Sequence, residues 1–344
     1  LLMLGLSLLE DTGYMSRAAF VMDKFFHLFG LHGRSFIPFM LATGCAVPGI
    51  MAARSLVNKR DRIITILVTP FMMCGAKTPV IAMLAAAFFP KNAGLVFWGV
   101  WFFGWIVALT IALIFRKTLF KGDQSPFVME LPPYRLPSLR SVMIHMWQRT
   151  LAYIRKAGTI ILAAAVIIWF ALTYPKPTID SQPIADRSGS ELSLSNPANT
   201  VAHPLRFSYA GRIGRGLEPV LKLAGFDWKL GVSLVAGLAA KEVIISTMGI
   251  LYGIEQESLA ATEHSDLTSV GYQISRDPAY SPLSAFGLMI FTMLYTPCLA
   301  TLVMVKKELG SWKWALFQAG YTLGIAFLMA VIIFQGGALI RLIF

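Results

Sequence analysis

One broken apolar segment limits what this chain can fold into. The run over residues 63–89 is long enough to cross a bilayer, which takes roughly 20 apolar residues. Its middle holds Pro70, Cys74, Gly75, Lys77 and Pro79. Proline removes a backbone donor and clashes with the preceding turn, so a helix here has to break or unwind. Broken backbone at membrane depth is tolerated only where protein buries it or where it lines a polar cavity, and transporters place substrate sites at such interruptions.

The other two cysteines have the same setting as Cys74. Cys45 lies in the apolar run 36–53, just before Pro48 and Gly49, and Cys298 lies in the run 283–305, directly after a proline. The chain has 3 cysteines, an odd number scattered in apolar segments, which is not the pattern of a disulfide framework. We therefore interpret the rest of the chain as a scaffold around these three thiols.

Composition indicates an integral membrane protein. Only 14% of the residues are charged and 56% are apolar, whereas a soluble domain carries about 25% charged residues. The net charge of +12 fits the cytoplasmic loops of membrane proteins, which collect Lys and Arg. No basic, aromatic-interleaved patch is present, so we expect no nucleic-acid partner. The chain opens at Leu1 inside an apolar run, which predicts a natural N-terminus further upstream.

The two halves of the chain share one order of elements: amphipathic lead-in, broken span, cysteine-bearing span, plain span. A shift of 195 places Tyr14 on Tyr209, and a shift of 224 places Cys74 on Cys298. If the basic turn 54–62 is cytoplasmic, most Lys and Arg fall on that side, as the positive-inside rule expects. The Cys74 span then runs outward and the Cys298 span inward. The sequence thus predicts an all-α, polytopic helical membrane protein with two inverted repeats, broken helices and a site between the repeats.

The thiols are candidate metal ligands. Thiolate and thioether groups suit soft or borderline transition metals, and the carbonyls of a broken helix can complete the shell. For any single cysteine, a small core residue is the alternative interpretation. Met73 adds a thioether beside Cys74, although methionine is more often core filler. Thr296, close to Cys298, completes the oxygen and sulfur ligands that we consider.

Several charged residues are candidates for the pathway. Lys77 and Lys241 lie at membrane depth, where ionisable residues usually face a cavity or pair with each other. Glu242 can bind a cation or relay a proton, or it can simply pair with a lysine. Glu10 and Asp11 lie beside the first apolar run and are candidates for the pathway. The alternative interpretation is that they cap a helix or lie at the cytoplasmic mouth of the protein.

Sequence motifs give no indication of catalysis. The zinc-hydrolase pattern H-E-x-x-H and the phosphate-cradling pattern G-x-x-x-x-G-K-[ST] are both missing from the sequence. We therefore expect that this chain is not an enzyme.

Several specific strings lie around the cysteines and the buried charges: LEDTGYMSRAAF (9–20), LHGRSFIP (31–38), GCAVP (44–48), NKRDR (58–62), PFMMCGAKTP (70–79), GLAAKE (237–242) and YTPC (295–298). In these strings the sequence resembles the membrane region of FeoB-type ferrous iron transporters, and the resemblance covers nearly the whole chain. It implies a first gate repeat over residues 1–120, an interfacial helix and central membrane segment over 121–174, an extracytoplasmic loop over 175–208 and a second gate repeat over 209–344.

The resemblance also implies a function. It implies Fe(II) uptake by a multi-pass protein of the bacterial inner membrane, with Cys45, Cys74 and Cys298 handling the metal. It implies a GTP- and Mg-binding N-terminal domain that gates the membrane part, small cytoplasmic accessory proteins and a homo-oligomer. Gly75 departs from the pattern, because relatives often have a small polar residue after the cysteine. The alternatives are a transporter of a nucleoside or another organic solute, and a membrane anchor for a soluble GTPase that transports nothing.

Overall fold

The computed structural model is helical throughout the part of the chain that it describes. It describes residues 4–5, 8, 11–120, 138–153, 158, 162–163, 166, 170, 209–238, 241–251, 271, 274–275, 280–295 and 298–343. Within these ranges there are α-helices, short 3-10 turns and no β-strand, which confirms the all-α prediction. Glu10, Thr296, the loop 175–208 and most of the expected span 154–174 lie outside the described residues.

The first half contains the predicted breaks. A single extended residue, Cys45, separates the second and third helices, and residues 69–77 separate the fourth and fifth. The helices of this half are α1 (Tyr14–Leu28), α2 (Phe36–Gly44), α3 (Ala46–Ala52), α4 (Lys59–Val68), α5 (Thr78–Phe88) and α6 (Ala93–Thr118).

The second half repeats this order. It follows the helix Leu139–Tyr153, which was predicted to lie in the interface. Gly30 and Gly225, which match under the shift of 195, both follow a lead-in helix in the left-handed region, at φ of 72° and 73°. The order of elements is therefore confirmed, and their inversion across the membrane stays a prediction. The helices are α7 (Leu139–Tyr153), α8 (Tyr209–Leu221), α9 (Trp228–Ala236), α10 (Val243–Leu251), α11 (Pro282–Leu294), α12 (Leu299–Leu309) and α13 (Trp312–Ile343).

Prolines explain where several of these helices begin. Pro38, Pro48, Pro79 and Pro282 all lie within the first three residues of their helices. The first turn is where a backbone N–H has no intrahelical partner, so a missing donor costs nothing there. Each of these prolines therefore starts a new helix instead of kinking an existing one.

Three helical stretches in the described residues are long and apolar enough to cross a membrane: Ala93–Thr118, Pro282–Leu309 and Trp312–Leu339. The middle one includes the break before Cys298. α11 packs against α13, α5 and α6 and thereby joins the two halves in one main core. These stretches confirm the prediction of a helical membrane protein.

The last helix supplies hydrogen bonds at the break after α4. Pro70 has no N–H to donate to the carbonyl of Ile66, four residues earlier. Gln318 of α13, which is fully buried, donates from Nε2 to the carbonyl oxygens of Ile66 and Leu67, at 3.0 and 3.1 Å. The hydroxyl of Tyr321 also donates to the Leu67 carbonyl. The broken helix is therefore completed by side chains that are about 250 residues away in sequence.

We predict that Gln318→Leu lowers the thermal midpoint of the purified protein. The change removes the donor to two buried carbonyls, and a buried polar group without a partner costs about 1–3 kcal/mol. Gln335→Leu is the matched control, because Gln335 lies on the same helix with an exposed side chain. Equal melting of the two variants in the same detergent would show that Gln318 does not support the break.

Candidate functional site

Each cysteine lies at an unwound point between two helices. Cys45 has extended backbone, with φ of −153° and ψ of 132°, and it caps the N-terminus of α3. Cys74 lies between the 3-10 turn Thr69–Phe71 and α5, and Cys298 caps the N-terminus of α12. All three thiols are free and half-buried. They are thus neither sealed in the core nor spread on the outer surface.

Equivalent backbone hydrogen bonds join the two breaks within each half. The amide of Gly75 donates to the carbonyl of Gly44 at 3.0 Å, next to Cys74 and Cys45. In the second half the amide of Leu299 donates to the carbonyl of Leu238 at 2.9 Å, next to Cys298. The shift of 224 that matches the cysteines also places Gly75 on Leu299. Each repeat therefore crosses its two unwound segments in the same way.

The three thiols lie in the region where the two repeats contact each other. Cys45 and Cys298 pack against one small cluster, and electrostatic interactions link Cys45 to Cys74, Cys298 and Glu242. The Sγ of Cys298 also lies 3.3 Å from the Thr301 hydroxyl. No three His, Cys, Asp or Glu side chains in the described part of the chain are close enough to hold a metal ion together. The thiols are thus neighbours in this conformation and not an assembled ligand set. The shared cluster consists of Val47, Ile50, Ala53, Leu56, Ile66, Ala300, Met304, Val305 and Ala315.

The remaining candidates fall in different surroundings. Glu242 is exposed at the turn before α10, within electrostatic reach of Cys45. Met73 is only 3% exposed and packs in the main core, which favours the core-filler alternative for its thioether. The Oδ2 of Asp11 is buried without a hydrogen-bond partner among the described residues. Of these three side chains, the structure brings only Glu242 to the thiols.

Lys77 and Lys241 are both buried and bonded to backbone carbonyls. The Nζ of Lys77 donates to the carbonyl oxygens of Pro70, Met72 and Met293, and the Nζ of Lys241 donates to that of Tyr295 at 3.1 Å. The Lys241 ammonium also lies 5.0 Å from the centre of the Tyr295 ring. Among the described residues no carboxylate lies within ion-pair distance of either lysine, so pairing with Glu242 is not observed. Sequence reasoning did not identify Tyr295 as the partner of Lys241.

Two ion pairs tie the repeats and helices together on the side of the 54–62 turn. α3 packs against α12, and near their C-terminal ends Arg54 binds Glu308 with two hydrogen bonds of 2.7 and 2.5 Å. These hydrogen bonds are the main reason that the pKa of Arg54 is raised. Arg116 binds Asp61 at 2.9 Å. Burial raises the pKa of Asp61, against the opposing effect of Arg116. The helices that begin at Cys45 and Cys298 are thus joined at their far ends as well.

Gly104 lets α6 pack closely in the region where the two repeats contact each other near the thiols, which we call the junction. A Cβ on Gly104 would lie 3.1 Å from the carbonyl oxygen of Phe71 and would overlap the end of the Met293 side chain. Phe71 precedes the Cys74 break, and Met293 is in the last turn of α11. Close packing of a membrane helix against broken backbone requires a small residue at the contact.

Two family models match the chain. The model described as nucleoside recognition, named Gate, matches residues 1–88 and 154–312, and the model described as ferrous iron transport protein B C terminus matches residues 97–149. No solved structure matches the chain.

Curated relatives match nearly all of the chain. A Fe(2+) transport protein A/Fe(2+) transporter FeoB fusion protein of Porphyromonas gingivalis is 45% identical over 97% of this chain and 41% of its own length. The Fe(2+) transporters FeoB of Campylobacter jejuni and Methanocaldococcus jannaschii are 42% and 37% identical, each over 96% of this chain and over 51% and 46% of their own lengths. The chain spans about half the length of the curated relatives it matches.

We predict that Gly104→Val disturbs the junction, whereas Gly99→Val does not. Both changes put the same β-branched side chain into α6, but a Cβ on Gly99 meets nothing within 4 Å. The Gly104 variant has to push Phe71 or Met293 away, and overpacking typically costs about 1–3 kcal/mol. The measurement is the thermal midpoint of each purified variant. Similar midpoints for both would show that α6 does not pack closely against the break.

Proposed function

Because the chain belongs to the Gate family and matches the FeoB C-terminal model between its two Gate segments, we propose that it forms the membrane passage of a ferrous iron transporter. The observation that supports this proposal best is the placement of three free, half-buried thiols at unwound points of the two repeats, with Cys45 in electrostatic range of the other two. The relatives that match nearly the whole chain are named as Fe(2+) transporters.

The chemistry of the junction suits Fe(II) as the transported ion. Fe(II) is a borderline ion that accepts sulfur as well as oxygen and nitrogen ligands. A thiol must lose its proton to bind a metal, so passage through Cys45, Cys74 and Cys298 is coupled to proton release. Unwound backbone adds carbonyl oxygens, and Glu242 offers an exposed carboxylate near Cys45. Thr296 completes the ligand set that we propose, whereas Met73 is left out because it packs in the main core.

The wider setting is part of the same proposal. We place the protein in the bacterial inner membrane as a multi-pass chain, with the 54–62 turn on the cytoplasmic side. Asp11 and Glu10 lie at one mouth of the passage. A GTP- and Mg-binding domain in the rest of the longer protein gates the passage, and small cytoplasmic accessory proteins and further copies of the chain assemble with it. The longer relatives leave room for such a domain, because this chain covers only about half of their length.

A second candidate function has one observation in its favour. The Gate model carries the description nucleoside recognition, and it matches more than half of the chain. A nucleoside pathway needs polar groups for the sugar and the base, and it does not require thiols. The cysteines at three of the breaks therefore favour the metal. An anchor for a soluble GTPase requires no passage at all.

We predict that Cys74→Ser and Cys298→Ser each reduce Fe(II) uptake by more than about tenfold, since changes even in the outer shell of a metal site cost about 10–100-fold. Uptake is measured in cells that depend on ferrous iron, with membrane abundance followed in parallel. Met143→Leu is the control, because it removes an exposed sulfur from α7, away from the thiols. Normal uptake in both cysteine variants would remove the thiols from the mechanism.

Competition in vesicles separates the candidate functions. We expect Mn(II) and Zn(II) to slow the entry of radioactive Fe(II), because they take similar ligands, and nucleosides to have no effect. Uptake of a labelled nucleoside that Fe(II) does not slow would favour the organic solute. Vesicles that take up neither substrate with the full-length protein present would favour the anchor.

A further inference from the structure

The ammonium of Lys77 lies in a cage of three backbone carbonyl oxygens. Its Nζ is 2.8 Å from the oxygen of Pro70, 3.2 Å from that of Met72 and 2.5 Å from that of Met293. The side chain is 2% exposed. We call these three oxygens the carbonyl cage. Two of them belong to the unwound stretch before Cys74, and the third belongs to α11 in the other repeat.

The geometry of the carbonyl cage matches an ammonium group. An ammonium group has three N–H donors, one for each oxygen, whereas a neutral amine has only two. Met293 lies in the last turn of α11, where carbonyls have no partner within the helix and the dipole favours positive charge. A buried charge is costly unless it is compensated, and these oxygens provide the compensation.

The same helix end attracts a second tethered cation. Lys241 donates to the carbonyl of Tyr295, two residues beyond Met293. In the last turn of α11 the hydroxyl oxygen of Thr292 is buried without a hydrogen-bond partner among the described residues. The end of α11 therefore accepts hydrogen bonds from lysine side chains of both repeats.

The ligand chemistry of the carbonyl cage is that of a monovalent cation site. All three ligands are neutral oxygens, which suit hard cations, and rings of backbone carbonyls bind K⁺ in channels. In the part of the chain that the structure describes, no carboxylate lies within ion-pair distance of Lys77, so the cage lacks the negative charge that a divalent ion usually requires. The cage lies beside Cys74, because the Lys77 amide donates to the Cys74 carbonyl at 2.9 Å.

We propose that the carbonyl cage is a monovalent-cation site which Lys77 fills permanently, so that its ammonium keeps free K⁺ and Na⁺ out of the junction. We call the Lys77 side chain in this role the plug. That the plug lies beside an iron passage rests on the proposed function, whereas the existence of the cage does not depend on that function. Abundant hard ions are excluded because their site is already occupied by a cation that cannot leave. The thiols then remain available to a softer ion.

The test compares Lys77→Ala with wild type in the full-length protein. Each is melted in K⁺, in methylammonium and in the bulky cation N-methylglucamine, at one ionic strength. A free cation that binds the vacated cage stabilises only the folded state, so the Lys77→Ala midpoint is expected to rise by about 3 °C or more in K⁺ or methylammonium. Wild type and Lys77→Arg, which keep a tethered charge, are expected to show no such difference.

Lys241→Ala is the matched control, because its ammonium is bonded to a single carbonyl and leaves no cage behind. Identical midpoints of Lys77→Ala in all three cations would overturn the proposal. Lys77→Met, which keeps the length of the chain without the charge, is purified in parallel. If folded protein of the neutral variants can be purified only in K⁺ or methylammonium, the proposal is supported. If no folded protein is obtained in any of the three cations, the proposal is overturned, because the cage then accepts no free ion.

A flux measurement separates this inference from the proposed function. Proteoliposomes with Lys77→Ala are expected to leak Tl⁺, a tracer for K⁺, about tenfold faster than wild type, and a leak equal to that of wild type contradicts the plug. Neither the melting nor the leak involves iron. A wild-type protein that fails to transport Fe(II) would overturn the proposed function and leave the cation-dependent melting of Lys77→Ala intact.

Discussion

Backbone hydrogen bonding at the breaks is the constraint on which the rest of this structure depends. Inside a bilayer no water is available for an unpaired amide or carbonyl, so unwound helix must find its partners in protein. The chain does this with groups from distant elements. Gly75 bonds to Gly44, Leu299 bonds to Leu238, and Gln318 bonds to the carbonyls before Pro70. Tertiary contacts therefore provide the backbone hydrogen-bond partners that a regular helix finds within its own turns.

The same breaks make chemistry available at membrane depth. A cysteine within a regular helix has its backbone groups occupied and its thiol on one helical face, whereas a cysteine at a helix start lies beside free backbone. Cys45 and Cys298 each precede the first residue of a helix, and those two helices pack together and are joined near their C-terminal ends by the ion pair of Arg54 and Glu308. The thiols and the structural contacts beside them therefore come from both repeats at once, so movement of one repeat against the other has to change the surroundings of the thiols.

Local sequence predicted much of this fold, and distant contacts account for what it missed. Proline and glycine act on their own turn, so the breaks at Cys45, Cys74 and Cys298 and the repeated order of helices were predictable. The donors that complete the breaks were not, although a glutamine in the apolar last helix was a usable signal. Adjacent residues also diverge: Lys241 is buried against Tyr295 while Glu242 is exposed. Periodicity cannot assign such faces in a turn, because the backbone there has no regular period.

One of the differences between the repeats lies three residues after their matched thiols. Lys77 and Thr301 each follow the matched cysteine by three residues, and the shift of 224 places one on the other. In the first repeat this position is an ammonium that reaches across to α11. In the second it is a hydroxyl 3.3 Å from the thiol of its own repeat. The matched positions therefore differ in chemistry, although Gly75 and Leu299 beside them make equivalent backbone hydrogen bonds. In the passage that we propose, an ion would meet an ammonium group at this position on one side and a hydroxyl group on the other, which two identical repeats could not provide.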